Sequence, residues 1–252
     1  LLMSRPHLTS NSRIQYAVLY TVFFVALIST SHDMTAQKTN LYLLSGQGSD
    51  ERIYQEIDWD TARYNVTYIP YLIPESGETM NAYAHRMAAA MDTSNAFSLV
   101  GVSLGGMISS EIKTFTNPEK VILISSAKCR AELPWQYRIQ RILPFYKLVP
   151  KNVLKYAALI AQPLFEPDRK SHAEVCSAML KSKNKVFTKR SIQMIMNWDK
   201  LDSDPEIIHI HGTNDNTLPI KRIDATHVVK NGSHMMTLTR ANEVSAILNN
   251  VL

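Results

Sequence analysis

The chain has 252 residues, of which 45% are hydrophobic and 19% charged, and its formal net charge is +5. This composition excludes a disordered chain, a collagen-like repeat and a membrane protein with many spans. Two cysteines are too few for a disulfide scaffold, and a mild basic excess alone is weak evidence for an anionic partner.

The first 36 residues read as a targeting segment rather than as part of the fold. Arg5 and Arg13 precede an apolar stretch over residues 16–29, and a polar segment with small residues follows. This pattern is typical of a cleaved secretory signal. The stretch is short for a membrane span, so an uncleaved anchor over residues 14–31 is the second interpretation and a core helix the third. We expect an exported (periplasmic or secreted) protein, or one anchored to a membrane by residues 1–36.

From residue 41 onward, short β-rich runs alternate with longer helical patterns, as in a mostly parallel sheet covered by helices. Several of the strands are continuous apolar runs, which indicates burial on both faces. Strands are predicted over residues 41–44, 66–69, 97–102, 121–124, 207–210 and 226–229. Helices are predicted over residues 79–91, 106–115 and 242–251. The fold class is therefore α/β.

One long segment interrupts this alternation. Residues 128–200 have helical periodicity and no clear strand, and they carry 15 Lys and Arg residues against 5 Asp and Glu residues. A helical insertion between two strands predicts a cap over the strand ends, and a packing appendage is the alternative. The charge of +10 is suited to anionic substrates or an acidic membrane face, although lysines on helices are more often simply solvated.

The two cysteines, Cys129 and Cys176, would meet an oxidising compartment if the chain is exported. A disulfide between them and two unpaired, half-buried thiols both remain open. Glycine is scarce, and seven of the eight glycines fall in four loops that could form one site. These are Gly46, Gly48, Gly101, Gly105, Gly106, Gly212 and Gly232.

The strongest motif lies where the third predicted strand meets a predicted helix. Residues 101–106 read GVSLGG, a G-x-S-x-G pattern with Ser103 at its centre. The serine must sit on a sharp turn so that its hydroxyl projects beyond the sheet, and the flanking glycines remove Cβ atoms that would collide. The helix also points its N-terminus at the site, where it favours developing negative charge. Ser103 is therefore the candidate nucleophile.

A serine hydroxyl needs a base, and that base needs an orienting group. The fifth predicted strand is followed by Asp215, and the sixth is followed by Gly232 and His234. Because the carboxyl ends of parallel strands meet at one edge of a sheet, both side chains should lie near Ser103. Asp215 and His234 are the candidate acid and base.

Other side chains compete for these roles. Asp215 could be only a turn former, and Asp224 is the nearest rival acid, although it lacks a place at a strand end. His209 and His211 alternate along a predicted strand, as core or rim residues would. His85 lies in a predicted helix with no partner that suggests catalysis.

The order serine, aspartate, histidine, each following a strand, resembles that of serine hydrolases of the α/β-hydrolase superfamily. The resemblance covers most of residues 41–252. It implies an abridged α/β-hydrolase fold over residues 37–252, without the usual first two strands and with the helical cap at about residues 128–200.

The resemblance also implies a role for each candidate residue. Ser103 would be the nucleophile, Asp215 the acid and His234 the base. The family's oxyanion loop follows the first strand of its core, so the backbone N–H groups of Gln47 and Leu104 would hold the oxyanion.

The chain departs from the family's pattern in its oxyanion loop. Ser45-Gly46 stands where many members have His-Gly, which leaves the scheme unchanged because a backbone N–H is the donor. Some members place the acid after the strand that precedes the cap. Ser125 and Ser126 occupy that position here, which favours Asp215.

We therefore expect hydrolysis of a carboxylic ester through an acyl-enzyme, and hydrolysis of a thioester, an amide or a peptide is the next choice. An acyltransferase and a non-catalytic binding protein of the same fold are the alternatives. No dinucleotide fingerprint or phosphate-binding lysine loop occurs. The sequence thus predicts a small-molecule acyl substrate, no cofactor, no metal and no nucleic-acid partner.

Overall fold

A computed structural model describes residues 38–139 and 172–252. The predicted signal or anchor and residues 140–171 of the predicted cap lie outside the described residues. Within them, six strands form one sheet in which every neighbouring pair is parallel, in the order β2-β1-β3-β4-β5-β6. The strands are β1 (Thr39–Leu44), β2 (Tyr64–Tyr68), β3 (Phe97–Val102), β4 (Lys120–Ile124), β5 (Ile208–Gly212) and β6 (His227–Val229). All six predicted strands are confirmed, with small shifts at their ends.

Helices connect the strands and continue after the last of them. They are α1 (Met80–Ala88), α2 (Leu104–Ile112), α3 (Trp135–Ile139), α4 (Ala173–Ser182), α5 (Lys185–Asn197), α6 (Met236–Thr239) and α7 (Ala241–Val251). Their first turns carry side-chain caps where the sequence provides them. The Thr79 hydroxyl accepts the N–H of Ala82 at the start of α1, and Asn184 accepts that of Val186 at the start of α5.

The central strands β1, β3 and β4 are buried on both faces, which explains the near-continuous apolar runs in them. Leu99 and Leu123 pack on one face with α1 and α2, while Val100 and Ile122 pack on the other, with α7. Because successive side chains of a strand point to opposite faces, each of the central strands β1, β3 and β4 contributes to both clusters. Burial of this apolar surface is the main force that holds the helices on the sheet.

The strand order brings four loops to the same edge of the sheet. The chain leaves β1 for β2 on one side and then returns to β3 on the other side of β1. The loops after β1 and β3 therefore diverge at a switch point, where parallel α/β sheets bind their ligands. The loops after β5 and β6 reach the same carboxyl edge of the sheet.

In the insertion between β4 and β5, every regular element that the structure describes is a helix. Residues 128–139 and 172–200 hold α3, α4 and α5, with no strand in those two ranges. At the end of α5, the indole of Trp198 donates a hydrogen bond to Glu111 Oε1 of α2, at 2.6 Å. The insertion is thus attached to the sheet's own helices.

Two findings concern the compartment and the membrane. Cys129 and Cys176 are both buried, and no disulfide joins them. Of the two possibilities that the sequence left open, the structure therefore shows separate thiols. None of the helices in residues 38–139 and 172–252 has the length and apolar character that a membrane span requires.

Candidate active site

Ser103 occupies the sharp turn between β3 and α2. Its backbone has φ 53° and ψ −118°, a conformation that a residue with a Cβ adopts only when the surrounding structure imposes it. The flanking glycines explain how the turn closes so tightly. A Cβ on Gly101 would lie less than 3.0 Å from the backbone of Gly105, and one on Gly105 less than 3.0 Å from the carbonyl oxygen of Leu44.

The structure brings Ser103, His234 and Asp215 into one hydrogen-bonded line. His234 Nε2 lies 2.9 Å from Ser103 Oγ, and His234 Nδ1 lies 2.8 Å from Asp215 Oδ2. The Asp215 side chain has no exposed surface, while that of His234 is 11% exposed. Since a carboxylate can only accept, Nδ1 carries the proton and Nε2 accepts from the serine hydroxyl.

Asp215 is held on both of its oxygens. Oδ1 accepts the backbone N–H groups of Thr217 and Leu218 at 2.9 and 2.7 Å, and His211 Nε2 lies 3.4 Å from Oδ2. Burial alone would raise the pKa of Asp215. The neighbouring His234 and His211, together with the Leu218 N–H, nevertheless hold that pKa below its ordinary value. The group is therefore a carboxylate at neutral pH.

The loops that carry Asp215 and His234 are bonded to each other. The N–H of Asn214 donates to the carbonyl of Gly232 at 2.9 Å, and the N–H of Asn231 donates to Thr213 Oγ1 at 2.8 Å. The backbones approach so closely that a Cβ on Gly212 would lie less than 3.0 Å from Gly232 O. These contacts fix the acid and the histidine relative to one another.

The loop after β1 lies beside the serine, as the resemblance implied. A Cβ on Gly46 would lie 3.3 Å from the Cβ of Ser103. No described residue accepts a hydrogen bond from the backbone N–H of Gln47 or of Leu104. Among the described residues, these two backbone N–H groups thus have no acceptor.

The sequence did not link His211 to the acid, although it placed His209 and His211 in the core or at its rim. Both are fully buried. His211 Nε2 lies 2.7 Å from the carbonyl of Leu218, which can only accept, so this nitrogen carries the proton. Neither ring nitrogen of His209 makes a well-formed hydrogen bond among the described residues, although the backbone of Ser126 acts on the ring.

Because His209 is buried, the free energy of unfolding should decrease as the pH falls. Burial, then His211 and Lys128, hold its pKa well below the ordinary value of 6.5, and the Ser126 backbone opposes this only in part. Below pH 6.5 the unfolded chain therefore binds a proton that the folded chain does not. The free energy of unfolding then decreases by up to about 1.4 kcal/mol per pH unit from this residue.

We expect the His209→Leu variant to lose stability less steeply than the wild type. Leucine cannot be protonated and leaves no polar atom without a partner. Urea unfolding at about pH 7 and about pH 5 measures the difference in slope. Equal slopes for the two proteins would contradict the prediction.

The competing candidates lie elsewhere. The side chain of Asp224 is 85% exposed and pairs with Lys128 Nζ at 3.4 Å. His85 stacks on Phe115 with ring centroids 3.6 Å apart. Within residues 38–139 and 172–252, no three His, Cys, Asp or Glu side chains come together as a metal site.

Comparison with known proteins identifies the fold. No family model matches the chain, and no curated protein matches its sequence. Among solved structures, a hydrolase from Pseudomonas aeruginosa PA01 is 15% identical with a TM-score of 0.65, over 85% of this chain and 90% of that one. The enol-lactonase from Burkholderia xenovorans LB400 is 14% identical with a TM-score of 0.65, over 86% and 92%. An esterase from Exiguobacterium antarcticum is 14% identical with a TM-score of 0.62, over 84% and 91%. The chain therefore has the α/β-hydrolase fold.

Proposed function

We propose that this chain, which has the α/β-hydrolase fold, is a serine hydrolase that cleaves carboxylic esters. One observation carries the proposal: the unbroken hydrogen-bonded line from Ser103 through His234 to Asp215, with the serine on a strained turn. Solved structures of the same fold include an esterase and an enol-lactonase, and both names point to bonds between an acyl carbon and oxygen. A carboxylic ester is the simplest member of that class.

The first half of the reaction forms the acyl-enzyme. His234 Nε2 takes the proton of Ser103 as its oxygen attacks the carbonyl carbon of the ester. Asp215 stays ionised and stabilises the imidazolium ring that results, which its lowered pKa favours. As the tetrahedral intermediate collapses, His234 returns the proton to the alcohol that leaves. The acyl group then remains on the serine oxygen.

The second half repeats the same chemistry with water. His234 removes a proton from the water, whose oxygen attacks the acyl carbon, and the proton passes back to Ser103 as the acid product leaves. In both halves the carbonyl oxygen becomes an oxyanion. The N–H groups of Gln47 and Leu104 are the donors that would stabilise it, which agrees with their lack of any acceptor among the described residues.

The insertion between β4 and β5 is proposed as the cap that selects the substrate. Its helix α5 contacts the loop after β1, since Gln47 Nε2 lies 2.9 Å from Ser191 Oγ. Tyr137 of α3 lies near the acid: burial first, and then the charge of Asp215, raise the pKa of its hydroxyl. Apolar and aromatic side chains on these helices suit an acyl or aromatic group.

A chromogenic ester series tests the proposal. The full chain should release a burst of p-nitrophenol from p-nitrophenyl esters and should be labelled by a fluorophosphonate, whereas the Ser103→Ala variant should do neither. The preferred chain length among the esters reports the size of the acyl pocket. A folded wild type that is neither labelled nor active would favour the non-catalytic binding protein. Ester products formed with an added alcohol would instead identify an acyltransferase.

A further inference from the structure

Each proposed oxyanion donor shares a peptide group with a carbonyl oxygen on its opposite side. The N–H of Leu104 belongs to the peptide whose carbonyl is that of Ser103, and the N–H of Gln47 to the peptide whose carbonyl is that of Gly46. The described chain has no cis peptide bond. In a planar trans peptide the N–H and C=O point in opposite directions. A group that fixes the direction of the carbonyl therefore also fixes the direction of the N–H on the same peptide.

At the turn after β3, the Ser103 carbonyl is held by three donors. Ser126 Oγ donates to it at 2.6 Å, and the N–H groups of Gly106 and Met107 donate at 3.0 and 3.2 Å. The two backbone donors belong to the first turn of α2, whereas Ser126 comes from the segment after β4. The Ser126 side chain is fully buried, so water does not compete for this bond.

A second serine has the same role in the loop after β1. The carbonyl of Gly46 accepts from the N–H of Ser49 at 3.1 Å and from its hydroxyl at 3.3 Å. The same hydroxyl accepts the N–H of Gly46 at 2.8 Å, so it holds two successive peptide groups. Ser49 is itself fixed, because Ser45 Oγ donates to its carbonyl at 3.0 Å.

We propose that Ser49 and Ser126 are positioning residues that orient the two oxyanion donors. This inference rests on the proposed function, since it gives each hydroxyl a role in the reaction as well as in folding. Two serines from separate parts of the chain bind the carbonyls of the very two peptides whose N–H groups are left available. Donors fixed in advance need no reorientation as the oxyanion forms, which is the source of their catalytic effect.

The structure also ranks the two serines. Removal of the Ser126 hydroxyl leaves two helix N–H groups on the Ser103 carbonyl, so that peptide tilts little. Removal of the Ser49 hydroxyl leaves only one N–H on the Gly46 carbonyl and no acceptor for the Gly46 N–H. Loss of a whole donor costs about 10²- to 10³-fold in kcat. We expect Ser126→Ala to lower kcat by about tenfold and Ser49→Ala to approach that limit.

The test compares these variants with Ser110→Ala, which removes an equally buried hydroxyl that donates to a backbone carbonyl, that of Lys128, at 2.7 Å. Steady-state kinetics on a p-nitrophenyl ester should show a lower kcat with little change in KM for Ser49→Ala and Ser126→Ala, and no change for Ser110→Ala. The inhibition constant of an aryl trifluoromethyl ketone, which forms a tetrahedral oxyanion on the serine, should rise by the factor by which kcat/KM falls.

The outcomes separate the positioning role from the proposed function. If the wild type shows no ester turnover, or if its turnover does not depend on Ser103, the proposed function itself is refuted. An active wild type with unchanged Ser49→Ala and Ser126→Ala variants, or with a loss equal to that of Ser110→Ala, overturns the positioning role alone. The positioning role is also overturned if the two variants have a lower kcat but bind the trifluoromethyl ketone as tightly as the wild type does. If Ser49→Ala does not fold, Ser49→Cys, which keeps the volume and a weak donor, replaces it and should show an intermediate loss.

Discussion

Replacement of His234 by alanine is expected to lower kcat by about 10⁴- to 10⁶-fold. His234 bonds to both Ser103 and Asp215, at 2.9 and 2.8 Å, so its loss leaves the serine without a base and breaks the bond between the acid and that base. The remaining rate would come from substrate binding and the oxyanion donors. Single-turnover kinetics with an activated ester measures the loss without interference from product release.

Because the three residues act as a unit in the proposed mechanism, the effects of replacing them should not add. The double variant Ser103→Ala/His234→Ala is expected to be no slower than Ser103→Ala alone. His85→Ala is the matched control, since this exposed histidine stacks on Phe115 and touches none of the three. A His234→Ala variant that keeps a tenth of the activity, or a double variant with multiplied losses, would contradict the proposed mechanism.

Substitution of Gly212 by alanine is expected to destabilise the protein by more than about 3 kcal/mol. The new Cβ would lie less than 3.0 Å from three backbone atoms of Gly232, which cannot move unless the loops after β5 and β6 separate. Gly105→Ala should cost as much, because its Cβ would meet the backbone of Leu44 and Ser45. Neither glycine has a positive φ, so the cause is space and not conformation.

Gly48→Ala is the control for these two changes. Its Cβ would lie 3.4 Å from Leu180 Cδ1, an ordinary contact with a flexible side chain. We expect a change within about 1 kcal/mol for this variant. Thermal and urea unfolding of the three variants measures the difference. If Gly48→Ala and Gly212→Ala are similarly stable, the loops after β5 and β6 do not approach each other as closely as described here.

The sheet could be predicted because strands that are buried on both faces are apolar along most of their length. β3 and β4 are mostly apolar, and their predicted bounds differ from the observed ones by at most one residue. Helix ends were less predictable. The second helix begins at Leu104 rather than at residue 106, because the turn at Ser103 leads into α2 without a linker. The first ends at Ala88, three residues before its predicted end.

The positions of the three candidate residues could be predicted because they depend on strand ends. Ser103, Asp215 and His234 each follow a strand, and parallel strands bring such residues to one edge. Their supporting residues could not be predicted in the same way. His211, Ser49 and Ser126 act through contacts that depend on how separate loops pack. No sequence motif indicates which residue a buried histidine or a loop serine will contact.

The bonds between the loops after β5 and β6 limit how this scaffold can be altered. Asn214 and Gly232, on either side of the contact, tie the acid and the histidine into one unit, while the serine belongs to a separate strand and helix. An insertion in either loop would separate two groups that must remain 2.8 Å apart. The connection from β4 to β5 carries neither the acid nor the histidine. Protein engineering that seeks a different substrate range should therefore vary residues 128–200 and leave the last two loops at their present lengths.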